Sequence, residues 1–530
     1  MTESECISYK KSGYFTKLII DYLEEKPELK QLYNRFPTVE NFKKQIEDKK
    51  DNFPLENRAI LVDELLKQYQ KCIVSEITLN NIKHLNDTNT YTITTGHQLN
   101  LFTGPLYFLY KIISVINLCK QLKTSYPDHN FVPIYWMATE DHDFEEINHF
   151  QLHEKKIRWN KESFGPVGRL STTGLEEVFD VFEKELGVGK NADFLKQLFQ
   201  KGYLEHTNLA DATRYIANEL FKNEGLVILD GDATTLKKLF IPYVKKELLE
   251  ETSFTKVNET AAILNDYNIQ VNPREINLFY IEETLRKRIV NDKGIYKVLN
   301  TTIAFSKEEL LTELENHPEK FSPNVILRPL YQEVILPNLC YIGGGGEIAY
   351  WLELKSNFKA FDITFPILLI RNSVVIVTEK QLTKTKKLNL TWTDLFSKQL
   401  DLINSKTKEI SAVTIDFSAQ KEFLKKQFEA LYKIAEATDA SFIGAVKAQE
   451  IKQTKGLDNL EKRLLKAEKR IHHDQLERIK LLQNELFPNQ SLQERKLNFS
   501  EFYLEAGDRL IQSLLKNLKP LETNFTIITL

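Results

Sequence analysis

The chain has 530 residues, a formal net charge of −3 and 42% hydrophobic residues. This length exceeds one ordinary hydrophobic core, so we expect about three structural units. The nearly balanced charge argues against nucleic acid as a partner, because no global basic field is present. Four scattered cysteines form no CxxC pair, which argues against a zinc–thiolate site. No apolar leader and no run of about 18 apolar residues is present, so we expect a cytoplasmic protein without membrane contact.

Helical and strand patterns alternate in the first half of the chain. Apolar residues at helical spacing predict helices within residues 10–75 and again within 175–223. A helix beginning at Pro105 is predicted to run to about Leu122. The predicted strands are Tyr91–Thr95, Phe131–Trp136 and Leu226–Asp230, the last followed by a helix over Ala233–Leu249. This alternation is typical of parallel βαβ units.

The pattern changes after residue 277. Short β-rich runs predict a small inserted sheet, with strands over Leu278–Glu282, Arg288–Val290 and Ile295–Leu299. Ser306 and Glu309 have the spacing of a capping box, which predicts a helix over Ser306–Asn316. Strand character returns at Leu339–Ile342 and Pro366–Val377.

Residues 418–487 carry apolar residues at heptad spacing with charged residues between them, which predicts a coiled coil. We place its turn at Thr438–Ser441, because Asp439 and Ser441 can cap a helix, with Gly456 as the alternative. A four-residue stutter is predicted near Gln475. A final helix over Glu501–Leu518 and a final strand over Asn524–Leu530 complete the chain.

A polar cluster follows the first predicted strand and precedes a helix. It contains Gly96, His97, Gln98, Thr103 and Gly104. Backbone N–H groups at such a helix start can hold a phosphate or a carboxylate, and the amide and hydroxyl groups would add donors. The alternative is a tight strand–helix turn in which the glycines only relieve backbone strain.

A second cluster, Glu140, Asp141, His142 and Asp143, follows the second predicted strand. These side chains can coordinate Mg²⁺ or Zn²⁺, or act as general acids and bases. The alternative is a charged surface loop. Because the spacing matches no closed metal motif, we assign no metal site. Both clusters follow strands, so we expect them to line one crevice at the carboxyl ends of a parallel sheet.

Four glycines precede a third group. The four consecutive glycines Gly343, Gly344, Gly345 and Gly346 predict a close approach to a nucleotide, or else a flexible connector, and Gly343, Gly344 and Gly346 are the candidate contacts. Glu347, Tyr350 and Trp351 share one helix face. We interpret Glu347 as a contact to a ribose or an amine, and the two aromatic residues as either ligand contacts or core.

Two arginines follow apolar runs and one lysine follows an aromatic run. Arg328 and Arg371 suit carboxylates or phosphates if they lie at strand ends, although a structural ion pair is an equal alternative. Lys111 has the sequence context of a lysine on a helix surface.

The segments TGHQ, LFTGPLY, EDHDF, SPNVILRPLYQE and GEIAYW resemble the cysteine ligase family of bacillithiol biosynthesis, the BshC family. The likeness runs along nearly the whole chain. It implies a ligase that adds L-cysteine to glucosaminyl-malate in the last step of that pathway, with ATP as co-substrate and Mg²⁺ accompanying it. It also raises Lys111 to a ligand candidate. Two departures are that the family more often has Gln at His97 and Pro within the glycine run.

The first cluster also resembles the position of the HIGH signature in class I synthetase-like nucleotidyl transferases. No KMSKS-like loop is visible in the sequence. Two other functions therefore stay open. One is a metal-dependent hydrolase built on residues Glu140–Asp143, and the other is a non-catalytic coiled-coil scaffold.

The resemblance implies an α/β fold with a Rossmann-like parallel-sheet core, two inserted connecting regions and a C-terminal helical coiled coil. The expected division is 1–150 core with N-terminal helices, 151–225 helical insertion, 226–270 core, 271–321 β-rich insertion, 322–390 core with the glycine run, 391–490 coiled coil, and 491–530 return to the core. The apolar heptad positions of 418–487 need a partner helix, so we expect a homodimer through this segment.

Overall fold

The computed structural model describes residues 5–530, and the chain divides into two compact units. The first unit runs through Ile376 and includes Gln493–Leu530, whereas the second is Val377–Leu492. Within residues 5–530, no helix has both the length and the apolar character that crossing a membrane requires.

The bounds of the regular elements follow in chain order. The strands are β1 (Glu5–Ser8), β2 (Thr90–His97), β3 (Asn130–Met137), β4 (His149–Leu152), β5 (Lys155–Arg158), β6 (Val227–Asp230), β7 (Leu278–Glu282), β8 (Leu285–Asp292), β9 (Ile295–Val298), β10 (Ala304–Phe305), β11 (Phe321–Pro323), β12 (Asn338–Gly343), β13 (Ile367–Ile370), β14 (Ser373–Val377) and β15 (Asn524–Thr529). The helices are α1 (Tyr9–Ser12), α2 (Lys17–Leu23), α3 (Val39–Asn52), α4 (Leu55–Gln68), α5 (Glu76–His84), α6 (Tyr107–Ser125), α7 (Phe144–Ile147), α8 (Leu175–Leu186), α9 (Lys190–Phe199), α10 (Leu209–Phe221), α11 (Thr234–Glu250), α12 (Thr252–Ile263), α13 (Lys307–Asn316), α14 (Leu327–Ile335), α15 (Gly345–Leu352), α16 (Lys355–Ala360), α17 (Glu379–Lys387), α18 (Trp392–Phe396), α19 (Gln399–Ile410), α20 (Ser418–Glu436), α21 (Ala440–Ile471), α22 (His473–Leu486), α23 (Phe499–Ala506) and α24 (Arg509–Asn517).

A five-stranded parallel sheet forms the centre of the first unit, in the order β13-β12-β2-β3-β6. The order reverses between β2 and β12, because the chain first adds strands on one side of β2 and later on the other. All eight residues of β2 are buried, as expected of a parallel strand covered on both faces. The predicted Rossmann-like core is confirmed, and ligands in such sheets bind where the strand order reverses.

The inserted sheet is antiparallel, in the order β10-β9-β8-β7-β11. This confirms the prediction of a β-rich insertion, although β8 is longer than the predicted strand Arg288–Val290. The capping box of Ser306 and Glu309 at α13 is also confirmed.

Two predictions about local structure in the first unit are wrong. Arg328 lies in the first turn of α14 rather than at a strand end, because Asn324 Oδ1 accepts from the N–H groups of Ile326 and Leu327 and starts a helix there. The final helix divides into α23 and α24 at Gly507, whose φ of 58° leaves the helical region.

The second unit contains an antiparallel helical hairpin. Helices α20 and α21 meet through a small core of Phe428, Ala435 and Val446. The turn falls at the predicted place, and Asp439 caps α21 by accepting from the N–H groups of Ser441 and Phe442. The predicted stutter near Gln475 is instead a break between α21 and α22 at His472.

Candidate active site at the end of the parallel sheet

A crevice of about 1030 Å³ opens at the carboxyl end of the parallel sheet. The predicted residues that line it are Gly96, His97, Gln98, Lys111, Glu140, Asp141, His142, Asp143, Arg328, Gly344, Gly346, Glu347, Tyr350 and Arg371. The structure therefore brings the TGHQ, EDHD and glycine-run segments together. Four predicted residues do not line the crevice: Thr103, Gly104, Gly343 and Trp351.

Lys111 forms a buried ion pair beneath the crevice. Its Nζ donates to the carbonyl oxygen of Gly96 at 2.6 Å and lies 2.6 Å from Glu347 Oε2. The lysine side chain is only 4% exposed, so its interpretation as a surface residue is wrong. The reason is that the first turns of α6 pass under the end of β2. Burial lowers the pKa of Lys111, while the nearby Glu347 carboxylate opposes that shift.

Glu347 is held by protein groups on both of its oxygens. Tyr341 OH donates to Oε1 at 2.7 Å, and the N–H of Gly344 donates to Oε2 at 2.8 Å beside Lys111. Burial alone would raise the pKa of Glu347, but the charge and hydrogen bond of Lys111 hold it below its ordinary value. Glu347 is therefore held as a carboxylate, and it caps the start of α15 by accepting the N–H of Gly344.

The glycine run is a direct junction of strand and helix. Gly343 ends β12, Gly344 caps α15 with an ordinary φ of −72°, and the helix begins at Gly345. The connector interpretation is wrong, because no loop separates the two elements. The close approach occurs at Gly343, where a Cβ would lie 2.9 Å from Glu347 Cβ. Gly344 and Gly346 line the crevice, so the N-terminal turn of α15 borders it.

His97 is a neutral imidazole at the crevice floor. Burial, and then the positive charge of Lys111, lower the pKa of His97 to about 3. Its Nε2 has no hydrogen-bond partner among residues 5–530. A neutral ring offers one donor and one acceptor, as a glutamine amide does. His97 can therefore orient a ligand but does not serve as a base that titrates near neutral pH.

Glu140 differs from its three neighbours because it belongs to a buried ion network. Its carboxylate pairs with Lys237, which also lies 3.2 Å from Asp232. Asp232 in turn accepts from Arg169 at 2.8 Å and 3.0 Å. Burial raises the pKa of Glu140, with Lys237 opposing the shift. The network fixes the segment that follows β3.

Asp141, His142 and Asp143 face the crevice, and their potential ligating atoms lie within 4.8 Å of one another. Asp141 accepts from Gln98 Nε2 at 3.0 Å and from the N–H of His142 at 2.7 Å. Burial would raise the pKa of Asp141, but these hydrogen bonds hold it well below its ordinary range. Asp143 is exposed and its carboxylate makes no hydrogen bond with residues 5–530.

The two predicted arginines differ in their partners. Arg328 donates to Gln332 at 3.1 Å and to Tyr350 OH at 3.3 Å, and it has no carboxylate within 4.0 Å among residues 5–530. Arg371 forms a buried ion pair with Glu494 at 2.7 Å, as the structural alternative predicted. Its Nε nevertheless has no hydrogen-bond partner among the described residues, and the side chain lines the crevice.

Sequence reasoning missed several cationic residues of the crevice. These are Arg274, Arg286, Arg288 and Arg495. The signal for two of them was present, because Arg286 and Arg288 alternate along one strand and must share a face. What the sequence did not reveal is which face of the inserted sheet meets the parallel sheet.

The fold and this crevice define a Rossmann-like α/β protein with a crevice lined by charged side chains where the order of a parallel sheet reverses, which is where such sheets bind ligands. The family model for "Bacillithiol biosynthesis BshC, N-terminal Rossmann-like domain" matches residues 2–372. The model for "Bacillithiol biosynthesis BshC, C-terminal coiled-coil domain" matches residues 374–530. The chain belongs to the BshC family.

Similar proteins named "Putative cysteine ligase BshC" occur in several bacteria. The Flavobacterium johnsoniae protein is 65% identical over 99% of this chain and 100% of its own length. The Christiangramia forsetii protein is 59% identical over 99% of both chains. The Bacillus thuringiensis protein is 28% identical over 93% of this chain and 95% of its own. The likeness therefore covers both units.

Proposed function

We propose that this protein is a ligase that joins L-cysteine to glucosaminyl-malate and forms the amide of bacillithiol. A carboxylate is a poor acyl donor, so ATP would activate the cysteine carboxylate as an adenylate with release of pyrophosphate, or as an acyl phosphate with release of ADP. The sugar amine then attacks the activated carbonyl carbon, forms the C–N bond and expels AMP or phosphate, while the amine loses a proton. Family membership along the full chain supports this assignment.

The observation that carries the proposal is the joint placement of a helix N-terminus and several guanidinium groups in one crevice. The N-terminal turn of α15 borders the crevice through Gly344 and Gly346. A helix N-terminus favours phosphate, because its N–H groups and its dipole both face the anion. The Nε of Arg371, which is buried and has no hydrogen-bond partner among the described residues, adds a donor beside that turn. The phosphates of ATP would lie there.

Asp141 and Asp143 fit the Mg²⁺ ion that accompanies ATP. Mg²⁺ prefers one or two carboxylates together with water and substrate phosphates. Asp141 is held as a carboxylate, and the carboxylate of Asp143 is free of protein hydrogen bonds. Both would hold the ion, which neutralises phosphate charge when bound. His142 is the imidazole beside them, and its Nδ1 lies 2.8 Å from Arg286.

The arrangement favours a ligase over a metal-dependent hydrolase. The Nδ1 of His142, the imidazole of the EDHD cluster, lies 2.8 Å from the Arg286 guanidinium, so this nitrogen already has a protein partner and is not free to bind a metal ion. Glu140 is already paired with Lys237. The crevice thus contains two carboxylates that can share a metal ion with a phosphate, rather than a closed set of protein ligands.

We also propose that the protein is a homodimer through the helical hairpin of the second unit. Helix α21 has 32 residues and α20 has only 19, so the hairpin cannot cover the whole of α21. Phe423 is 65% exposed and Leu460 is 52% exposed, and both border a groove between the helices. A second copy of the hairpin would bury these side chains and close the assembly with twofold symmetry.

We place the reaction in the cytoplasm, where cysteine and ATP are available and thiols stay reduced. All four cysteines are free thiols in the structure, in agreement with that compartment. Thiol profiling by mass spectrometry of a bacterium lacking this gene tests the function. Loss of bacillithiol with accumulation of glucosaminyl-malate is expected. Unchanged bacillithiol in that strain would contradict the proposal.

A further inference from the structure

Two arginines of the inserted sheet point into the crevice from one strand. Arg286 and Arg288 are two residues apart on β8, so they lie on the same face of the sheet. Both line the crevice, whereas Lys287 between them does not. Lys287 pairs across the sheet with Tyr280, and Arg288 pairs with Phe279, which also lines the crevice. The alternation therefore presents two guanidinium groups to the ligand space and one lysine to the other side.

Arg286 is a buried cation without a carboxylate partner. The residue is 9% exposed, and no carboxylate oxygen lies within 4.0 Å of it among residues 5–530. Its guanidinium stacks 4.0 Å from the centre of the Phe279 ring and lies 2.8 Å from His142 Nδ1. Two further contacts, to Ser322 Oγ and to the carbonyl oxygen of Pro323, are long at 3.4 Å. The carboxylates of Asp141, Glu140 and Asp143 act on this charge only from beyond ion-pair distance. Because a buried charge is costly without a direct partner, a bound anion would supply the one that Arg286 lacks.

Arg288 has even fewer contacts. It is partly buried, and its side chain makes no hydrogen bond and no ion pair with the described part of the chain. Seven cationic side chains and five carboxylates line the crevice. Glu347 is paired with Lys111, and Glu140 is paired with Lys237, which lies outside the lining. The carboxylates that remain are fewer than the guanidinium groups, so the wall formed by β8 is left positive.

We propose that Arg286 and Arg288 form a subsite for a dicarboxylate, with one carboxylate bound by each guanidinium group. This inference rests on the proposed function, in which the malyl part of the second substrate carries two carboxylates. Adjacent positions on one strand face are about 6.8 Å apart, a distance that two flexible arginine side chains can converge to bridge. Guanidinium groups bind carboxylates through two parallel N–H···O bonds, which gives the subsite geometric selectivity as well as charge. The subsite would hold the malyl group at the inserted sheet and leave the sugar amine toward the carboxyl end of the parallel sheet.

The test is equilibrium binding of glucosaminyl-malate to the full-length protein in the absence of ATP, by isothermal titration calorimetry. Arg288→Gln is the main variant, because this side chain is partly exposed and its loss leaves no protein group unpaired. Lys287→Gln is the matched control on the same strand. We expect Kd for glucosaminyl-malate to rise about tenfold or more in Arg288→Gln and to stay unchanged in Lys287→Gln. Arg288→Lys should recover only part of the affinity, because it restores charge without the planar fork.

Methyl glucosaminide, which lacks the malyl group and its two carboxylates, separates this subsite from general effects on the crevice. The wild type and Arg288→Gln should bind it equally. The subsite is refuted if Arg288→Gln binds glucosaminyl-malate as tightly as the wild type, or if Lys287→Gln loses as much affinity. A catalytic assay separates failure of the subsite from failure of the proposed ligase function. Arg288-dependent binding without any ligation would refute the ligase function and retain the subsite. Ligation with an unchanged KM for glucosaminyl-malate in Arg288→Gln would refute the subsite and retain the ligase function.

Discussion

Replacing Gly344 with alanine should weaken nucleotide binding while leaving the protein folded. The structure leaves room for the added methyl group, because a Cβ there would lie 3.5 Å from Glu347 Oε2 and 3.7 Å from Arg371 Nε, and φ is −72°. These are ordinary contacts, so the methyl does not clash with the protein. The methyl would instead lie beside the unpartnered Arg371 Nε, where we place a phosphate of ATP at the first turn of α15.

The expected magnitudes follow from that geometry. Glycine is a better N-cap than alanine, so Gly344→Ala should lose about 1 kcal/mol of stability. Displacing a phosphate from one charge-assisted hydrogen bond removes about 1.5–3 kcal/mol, which raises Kd about 10- to 150-fold. Gly345→Ala is the control, since its Cβ would contact Phe15 and Ile19 at 3.5 Å and 3.6 Å, and Gly345 does not line the crevice.

The assay is titration of ATP with Mg²⁺ into each variant, with thermal unfolding measured in parallel. Gly344→Ala should unfold only a few degrees below the wild type and bind ATP weakly, whereas Gly345→Ala should bind ATP normally. If a folded Gly344→Ala variant binds ATP with wild-type affinity, the phosphates do not lie at the start of α15. Equal weakening in both variants would likewise refute the reasoning.

Three further outcomes are expected. Asp143→Asn should lower kcat at least tenfold with an unchanged melting temperature, because the exposed carboxylate makes no protein hydrogen bond; normal turnover would remove Asp143 from the mechanism. Leu460→Glu should convert a dimer to a monomer, as measured by light scattering. Val188→Glu is the control, because this position is 97% exposed in the first unit, and it should leave the dimer intact. A monomer mass for the wild type at micromolar concentration would contradict the dimer. Burial raises the pKa of Glu353 from 4.5 to about 7, so the folded state favours the protonated form and stability falls as pH rises through that window. Glu353→Gln should flatten this decline in the melting temperature between pH 5 and 8, and parallel profiles of the two proteins would refute it.

The parallel core could be predicted from sequence because its strands are short apolar runs bounded by polar clusters. Gly96 and Asp141 were expected at one edge of a sheet for that reason, and both line the crevice. The turn of the coiled coil was predictable because Asp439 is a local cap. Such features depend on neighbours within a few residues.

The features that could not be predicted from the sequence depend on contacts between segments that are distant along the chain. The sequence around Lys111 predicts a surface lysine, but in the folded chain β12 and α15 place Glu347 beside it. Arg328 follows an apolar run, yet Asn324 starts a helix there instead of ending a strand. The guanidinium groups of β8 face the crevice only because of how the inserted sheet packs against the core. Neither propensity nor periodicity determines those placements.

The central claim is tested most directly by reconstituting the reaction with the purified full-length protein. The mixture contains L-cysteine, glucosaminyl-malate, ATP and Mg²⁺, and mass spectrometry follows the products, with each component omitted in turn. The proposed function predicts the mass of bacillithiol only in the complete mixture, together with AMP or ADP in equal amount. Contradiction would come from a folded, substrate-binding protein that forms no amide, or from amide formation that continues without ATP.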